Sequence, residues 1–189
     1  MKSLYIVAGA NGSGKTTFAK RFAKFHDLHF INADEIAKSL DNNDIGKHKL
    51  QAGKIFFREL HRCLQKEESF VIETTLSGKY LVKYIDRAKN LGFFVSLIYL
   101  FLETPKTNIL RVKHRVLNGG HFVPEDDIIR RFYRSKEMFW KVYKNMVDEW
   151  IVYYNSDEIF EEIADNTIIY DREKFDTFIK GIDNEQKNR

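Results

Sequence analysis

Apolar and polar positions along this chain change period repeatedly, from the alternation or short solid run of a strand to the 3.6-residue stripe of a helix. Residues 4–8 (LYIVA) form a short β-rich apolar run, and residues 17–25 (TFAKRFAKF) then repeat their apolar positions at helical spacing. A second short strand is predicted at 29–32 (HFIN), a helix from about Lys47 to Lys66 with Phe56, Phe57, Leu60 and Leu64 on one stripe, and a third strand at 69–74 (SFVIET). Residues 78–91 read as a helix closed by Gly92 in the C-terminal cap position. The run 93–102 (FFVSLIYLFL) is almost continuously apolar, as expected of a central parallel strand covered on both faces. Ile109, Val112 and Val116 make the stripe of a helix over 106–117, which Asn118-Gly119-Gly120 ends. Pro124 followed by Glu125, Asp126 and Asp127 starts another, running to about Glu149, because proline and acids suit a first helical turn. Residues 150–154 and 167–170 read as closing strands, 171–180 as a last helix and 181–189 as a frayed polar tail. Strands alternating with helices predict an α/β fold: a three-layer parallel sheet of five to six strands, helices on both faces, with the first strand near the centre.

The 189 residues suffice for one well-buried domain, and 1–189 is read as a single domain. With 16 Phe and 9 Tyr the chain can fill a three-layer core unaided. A formal net charge of +4 suits an anionic ligand but is too weak to point to nucleic acid. A single cysteine, Cys63, excludes an internal disulfide and a cysteine-based metal cage. Strand structure begins within three residues of the start, so a protein without a signal peptide is expected. No apolar run reaches membrane-spanning length, so a cytoplasmic location is expected.

The first strand and helix enclose Gly9-Ala10-Asn11-Gly12-Ser13-Gly14-Lys15-Thr16, which fits the phosphate-binding pattern G-x-x-x-x-G-K-[ST] in the context it requires. This makes a P-loop NTPase fold the expectation. In such a loop the amides of residues 11–16 would face the β-phosphate from a helix N-terminus, Lys15 would reach the β- and γ-phosphates, and Thr16, followed by Thr17, would ligate Mg²⁺. Asp34, beyond the second strand, is the candidate general base; it could instead cap the helix after it, and Glu35 stands beside it. Glu73, with Thr74 and Thr75, could hydrogen-bond an acceptor, or be a buried carboxylate paired within the core. Arg111, Arg115, His121, Arg130, Arg131 and Arg134 bracket the only Gly-Gly of the chain and suggest a cationic lid, with Arg115 the best candidate for catalytic contact. Charge on one helical face is otherwise usually solvated.

Four segments together, AGANGSGKTT at 8–17, NADE at 32–35, ETTLSG at 73–78 and GGHFVP at 119–124, resemble the zeta-toxin family of P-loop kinases, in its shorter branch. The likeness extends from about Tyr5 to Ser156. It implies an adenylate-kinase-like fold, ATP with Mg²⁺ as donor, and phosphorylation of a sugar hydroxyl on uridine diphosphate-N-acetylglucosamine, with an antitoxin protein among the partners such a family allows. The family's catalytic aspartate matches Asp34, its loop lysine Lys15 and its strand-end glutamate Glu73; His121 stands near the place of an arginine before the lid proline. Two other readings stay open: a P-loop kinase for another acceptor, such as a polynucleotide or antibiotic, and a non-transferring ATP-binding regulator.

Overall fold

The computed structural model describes residues 1–40, 48–156 and 159–183. Its strands are β1 (Ser3–Ala8), β2 (His29–Ile31), β3 (Phe70–Thr74), β4 (Phe94–Phe101), β5 (Glu149–Ser156) and β6 (Ile159–Asp165). They form one sheet in the order β2-β3-β1-β4-β5-β6, so the glycine-loop strand and the long apolar strand are neighbours at its centre. The described residues also form seven α-helices: α1 (Lys15–Phe25), α2 (Ala33–Leu40), α3 (Lys49–Lys66), α4 (Val82–Asn90), α5 (Pro105–Leu117), α6 (Glu125–Lys141) and α7 (Arg172–Asp183). The helix expected from about Lys47 thus begins at Lys49, and Lys47 lies outside the described residues. Of the expected tail, Gly181–Asp183 complete α7 and 184–189 lie outside them.

The alternation of side chains along a strand builds two cores. Leu4, Ile6 and Ala8 of β1, Phe70 and Ile72 of β3, and Leu97, Tyr99 and Phe101 of β4 enter the larger core with Phe56, Leu60, Ile85, Phe139 and Phe178. Val7, Val71, Ile98 and Leu100 point the other way, onto Ala19 and Ala23 of α1, flanked by Phe18 and Phe22. Because the central strands are apolar on both faces, their sequence reads as solid runs rather than alternation. A third, small cluster of Val112, Val123 and Ile128 ties α5 to α6 apart from both cores.

The helix expected over 78–91 begins only at Val82, and three further expectations need correction. The sheet is parallel through β5, but β6 runs antiparallel to it. The closing strand is Ile159–Asp165 and not 167–170, where Ile169 makes only an isolated bridge to Ala164. Asp165 Oδ1 accepts from the amides of Thr167 (2.6 Å) and Ile168 (2.7 Å), a local turn that overrides the β-branched run. Finally, α6 stops at Lys141, followed by a 3₁₀ turn over Tyr143–Asn145, and Glu149 already opens β5. The apolar stripe continues past Lys141 because Tyr143 is itself buried, its hydroxyl donating to the Gly78 carbonyl at 2.5 Å. Beyond it Asp148 fixes the strand register, its carboxylate accepting from the Val95 amide at 2.8 Å.

Candidate active site

Ligand sites of open α/β sheets lie beyond the carboxyl ends of the strands, and a cleft of about 900 Å³ opens there. The loop between β1 and α1 is its floor. Gly14 adopts the left-handed region (φ 90°) at the N-cap of α1, and a Cβ there would run into the Asn155 side chain. A Cβ on Gly12 would lie 2.6 Å from the Asn108 carbonyl oxygen. The loop glycines are therefore required by the protein's own close packing as well as by a phosphate. Asn108, wholly buried, donates to the Asn11 carbonyl at 2.6 Å, and Asn155 donates to the Ser13 carbonyl at 2.9 Å, so β5 and α5 brace the loop from outside.

Lys15 is buried, and its Nζ donates to the Ala10 carbonyl at 2.7 Å. Burial lowers its pKa, an effect that Glu73 and Asp34 nearby oppose. The Thr16 hydroxyl donates to Glu73 Oε1 at 3.0 Å, and the Asn32 amide donates to Glu73 Oε2. Burial holds the Glu73 carboxyl above its usual range, although Lys15 and the Thr16 and Asn32 hydrogen bonds pull it down. Asn32 also caps α2: its Oδ1 accepts from the amides of Asp34 (2.7 Å) and Glu35 (3.1 Å). Asp34 is thus not the cap. Its carboxylate is exposed, lines the cleft and makes no hydrogen bond or ion pair among the described residues, whereas Glu35 is paired with Lys20.

Of the six lid residues, Arg111, Arg115 and Arg131 line the cleft. Arg131 donates to Asn11 Oδ1 at 3.1 Å, which latches α6 onto the loop, and Arg111 donates to the Asn155 carbonyl at 3.2 Å. Arg115 donates to the His121 carbonyl at 2.8 Å while its Nε is buried without a partner. His121, Arg130 and Arg134 are not among the cleft-lining residues; Arg130 is exposed and paired with Asp127 at 2.8 Å. Thr74 and Thr75 do line the cleft, with the Thr74 hydroxyl bonded to Tyr80 and that of Thr75 3.1 Å from Ser77. Sequence reasoning missed Asn32 as the link between the α2 cap and Glu73, although it stood inside the NADE segment. It also missed the cleft walls, Gly53, Phe56, Phe57 and Tyr80 on one side and Leu110, Asn155 and Phe160 on the other. The aromatic stripe of α3 reads as core from its spacing, and nothing in the order of residues brings β5 to the loop.

Residues 4–135 match the family model described as AAA domain. This chain belongs to the AAA domain family. An uncharacterized protein of Haemophilus influenzae is 32% identical over 124 residues, which are 66% of this chain and 88% of that protein. A cytidylate kinase of Archaeoglobus fulgidus is 23% identical over 156 residues, covering 78% and 80% of the two chains. Among solved structures, the PezAT chromosomal toxin–antitoxin system of Streptococcus pneumoniae superposes with a TM-score of 0.67 at 18% identity, over 97% of this chain and 80% of that one. The resemblance to zeta toxins read from the four segments is thereby supported at the level of the fold. With its P-loop and kinase relatives, this AAA domain protein is an ATP-dependent phosphotransferase by class. No helix among its described residues is long and apolar enough to cross a membrane.

Proposed function

We propose that the protein transfers the γ-phosphate of ATP to a hydroxyl of a small-molecule acceptor, with Asp34 as the general base. The observation that carries this reading is the contrast between two carboxylates in one cleft: Glu73 has both oxygens engaged, while Asp34 is exposed and unengaged at the N-terminus of α2. Asp34 would take the acceptor's proton as its oxygen bonds to the γ-phosphorus and the bond from that phosphorus to the β,γ-bridging oxygen breaks, releasing ADP. Lys15 would leave the Ala10 carbonyl for the phosphates. Arg115 and Arg131, both at the cleft, would offset charge on the migrating group.

Hard oxygen donors suit Mg²⁺, and Thr16 Oγ1 and Glu73 Oε1 lie 3.0 Å apart beside the loop. These two residues would hold the ion, which when bound neutralises charge on the β- and γ-phosphates. We therefore put Glu73 on the metal side of the site, and Thr75 and Tyr80 rather than Glu73 on the acceptor side. Leu110, Arg111, Asn155 and Phe160 beside the loop would receive the base of ATP. A nucleotide sugar such as uridine diphosphate-N-acetylglucosamine is the first acceptor to try, on the strength of the zeta-toxin resemblance, and an antitoxin partner and a cytoplasmic setting go with that reading.

The test is to incubate the protein with γ-labelled ATP, Mg²⁺ and a panel of nucleotide sugars, sugars and oligonucleotides. Label on a small hydroxyl compound is the expected result. Label on an oligonucleotide would replace the acceptor class, and ATP binding without transfer to any acceptor would favour a nucleotide-dependent regulator.

A further inference from the structure

Gly53 sits in the interior of α3, where glycine is the poorest helix former after proline. Its φ is not positive, and among the described residues a Cβ built on it would meet no atom within 4 Å beyond its chain neighbours and its own helix backbone. It lines the cleft together with Phe56 and Phe57, three and four residues further along the same helical face. The empty space in front of Gly53 is therefore cleft space, and a side chain there would fill it.

The wall around that space is aromatic. The Phe57 ring stacks on Tyr84 (centroids 5.1 Å apart, 12°) and meets Phe56 and Tyr80 edge to face at 5.2 and 5.9 Å. This cluster stands at the β2–β3 side of the sheet, joined to the end of β3 by the bond between Tyr80 and Thr74. Among the described residues, the cations lining the cleft are Lys15, Arg111, Arg115 and Arg131, from the loop and the two lid helices. The aromatic wall offers ring carbons and the hydroxyls of Thr75 and Tyr80, with the carboxylate of Asp34 at its edge. Such a surface favours the flat face of an uncharged ring, and among the described residues it offers a phosphate or carboxylate hydroxyl donors but no cation of its own.

We propose that Gly53 keeps open an acceptor subsite for the uncharged ring of a cyclic alcohol, which lies against Phe56, Phe57 and Tyr80 with a hydroxyl toward Asp34. The proposal rests on the kinase reading above and narrows its acceptor. Uridine and N-acetylglucosamine serve as cyclic probes and gluconate as an open-chain acid. Calorimetry with the non-hydrolysable ATP analogue and Mg²⁺ present compares wild type, Gly53→Ala and Gly53→Leu. At least one cyclic probe should bind wild type more tightly than gluconate, and Gly53→Leu should weaken it by about tenfold or more. Gly53→Ala should weaken it less and melt a few degrees higher, since alanine favours the helix and clashes with nothing. Affinity for the ATP analogue should stay the same in all three. The proposal is overturned if neither cyclic probe binds, if gluconate binds as well, or if Gly53→Leu binds like wild type. Ring probes that bind and respond to Gly53 without label transfer to any acceptor would sink the kinase reading and keep the subsite. Transfer that ignores Gly53 would do the reverse.

Discussion

Asp34 and Glu73 show how surroundings divide work between like side chains. Glu73 is hydrogen-bonded through both oxygens and buried, which suits a fixed ligand; Asp34 is exposed at a helix N-terminus whose cap is already Asn32. Asp34→Asn should therefore leave the fold and ATP affinity intact while single-turnover transfer falls roughly 10²- to 10⁴-fold; a full transfer rate would remove Asp34 from the chemistry. Lys136 is a residue whose cost has no part in the site. It is buried (1% exposed) with its ammonium 4.3 Å from the Phe132 ring centroid and 5.1 and 5.3 Å from those of Phe101 and Phe178. The rings favour the charged form, but burial outweighs them and lowers its pKa from 10.5 to about 7. Because the unfolded chain binds the proton more tightly, stability should rise as pH rises from about 7 to 10.5, the window between the two values. Lys136→Met should stabilise the protein by about 1–4 kcal/mol at neutral pH. It should also flatten that rise, as denaturant melts at several pH values would show.

At the scale of elements, the lid depends on one short contact. Gly120 follows α5, and a Cβ on it would lie 2.5 Å from Arg115 Cγ and 2.7 Å from the Arg115 carbonyl oxygen. Gly120→Ala should push Arg115 off its place over the cleft and lower turnover with little change in ATP affinity. Arg115→Ala should cost on the order of 10³-fold or more if the guanidinium stabilises transition-state charge. Steady-state kinetics of both variants checks this, and loss of ATP affinity with turnover preserved would assign Arg115 to ground-state binding. The same region shows what the sequence could reveal. Pro124, the acids of the first α6 turn and the Gly-Gly marked the start of α6, the end of α5 and the link between them, because caps and breakers act locally. That Arg131 would face the loop while Arg130 and Arg134 would not depends on the rotation of α6, which the Asn11 contact and the Val112–Val123–Ile128 cluster set through space. The β6 edge strand was illegible for a related reason. Glu161 and Glu162 look like loop residues until Lys174 (2.7 Å) and Tyr153 (3.1 Å) are seen to partner them.

Over the whole molecule, the strand order puts β1 third of six, so the loop after it faces the Phe57–Tyr80 wall on the β2–β3 side and Asn155 and Phe160 on the β5–β6 side. Two ligands can then meet over Lys15 from opposite halves of one sheet, and α5, α6, β3 and β5 all contribute to the contact zone. A nucleotide bound there joins elements that otherwise share only part of a core, and binding to the folded state alone raises stability by mass action. At an ATP concentration 100 times its dissociation constant the gain is about 2.7 kcal/mol. For a domain of this size that is a rise of roughly 5–11 °C in the melting temperature. Lys15→Ala should lose most of the rise when each variant is compared with and without ATP and Mg²⁺, since Lys15 is the cation at the loop's centre and its hydrogen bond to the Ala10 carbonyl is readily exchanged for a phosphate. Thr16→Ala should keep a rise with ATP alone but lose the extra increment that Mg²⁺ adds, if Thr16 and Glu73 hold the ion. A Lys15→Ala protein with the full wild-type shift would show that ATP binds elsewhere, and the loop would lose its role as the phosphate site.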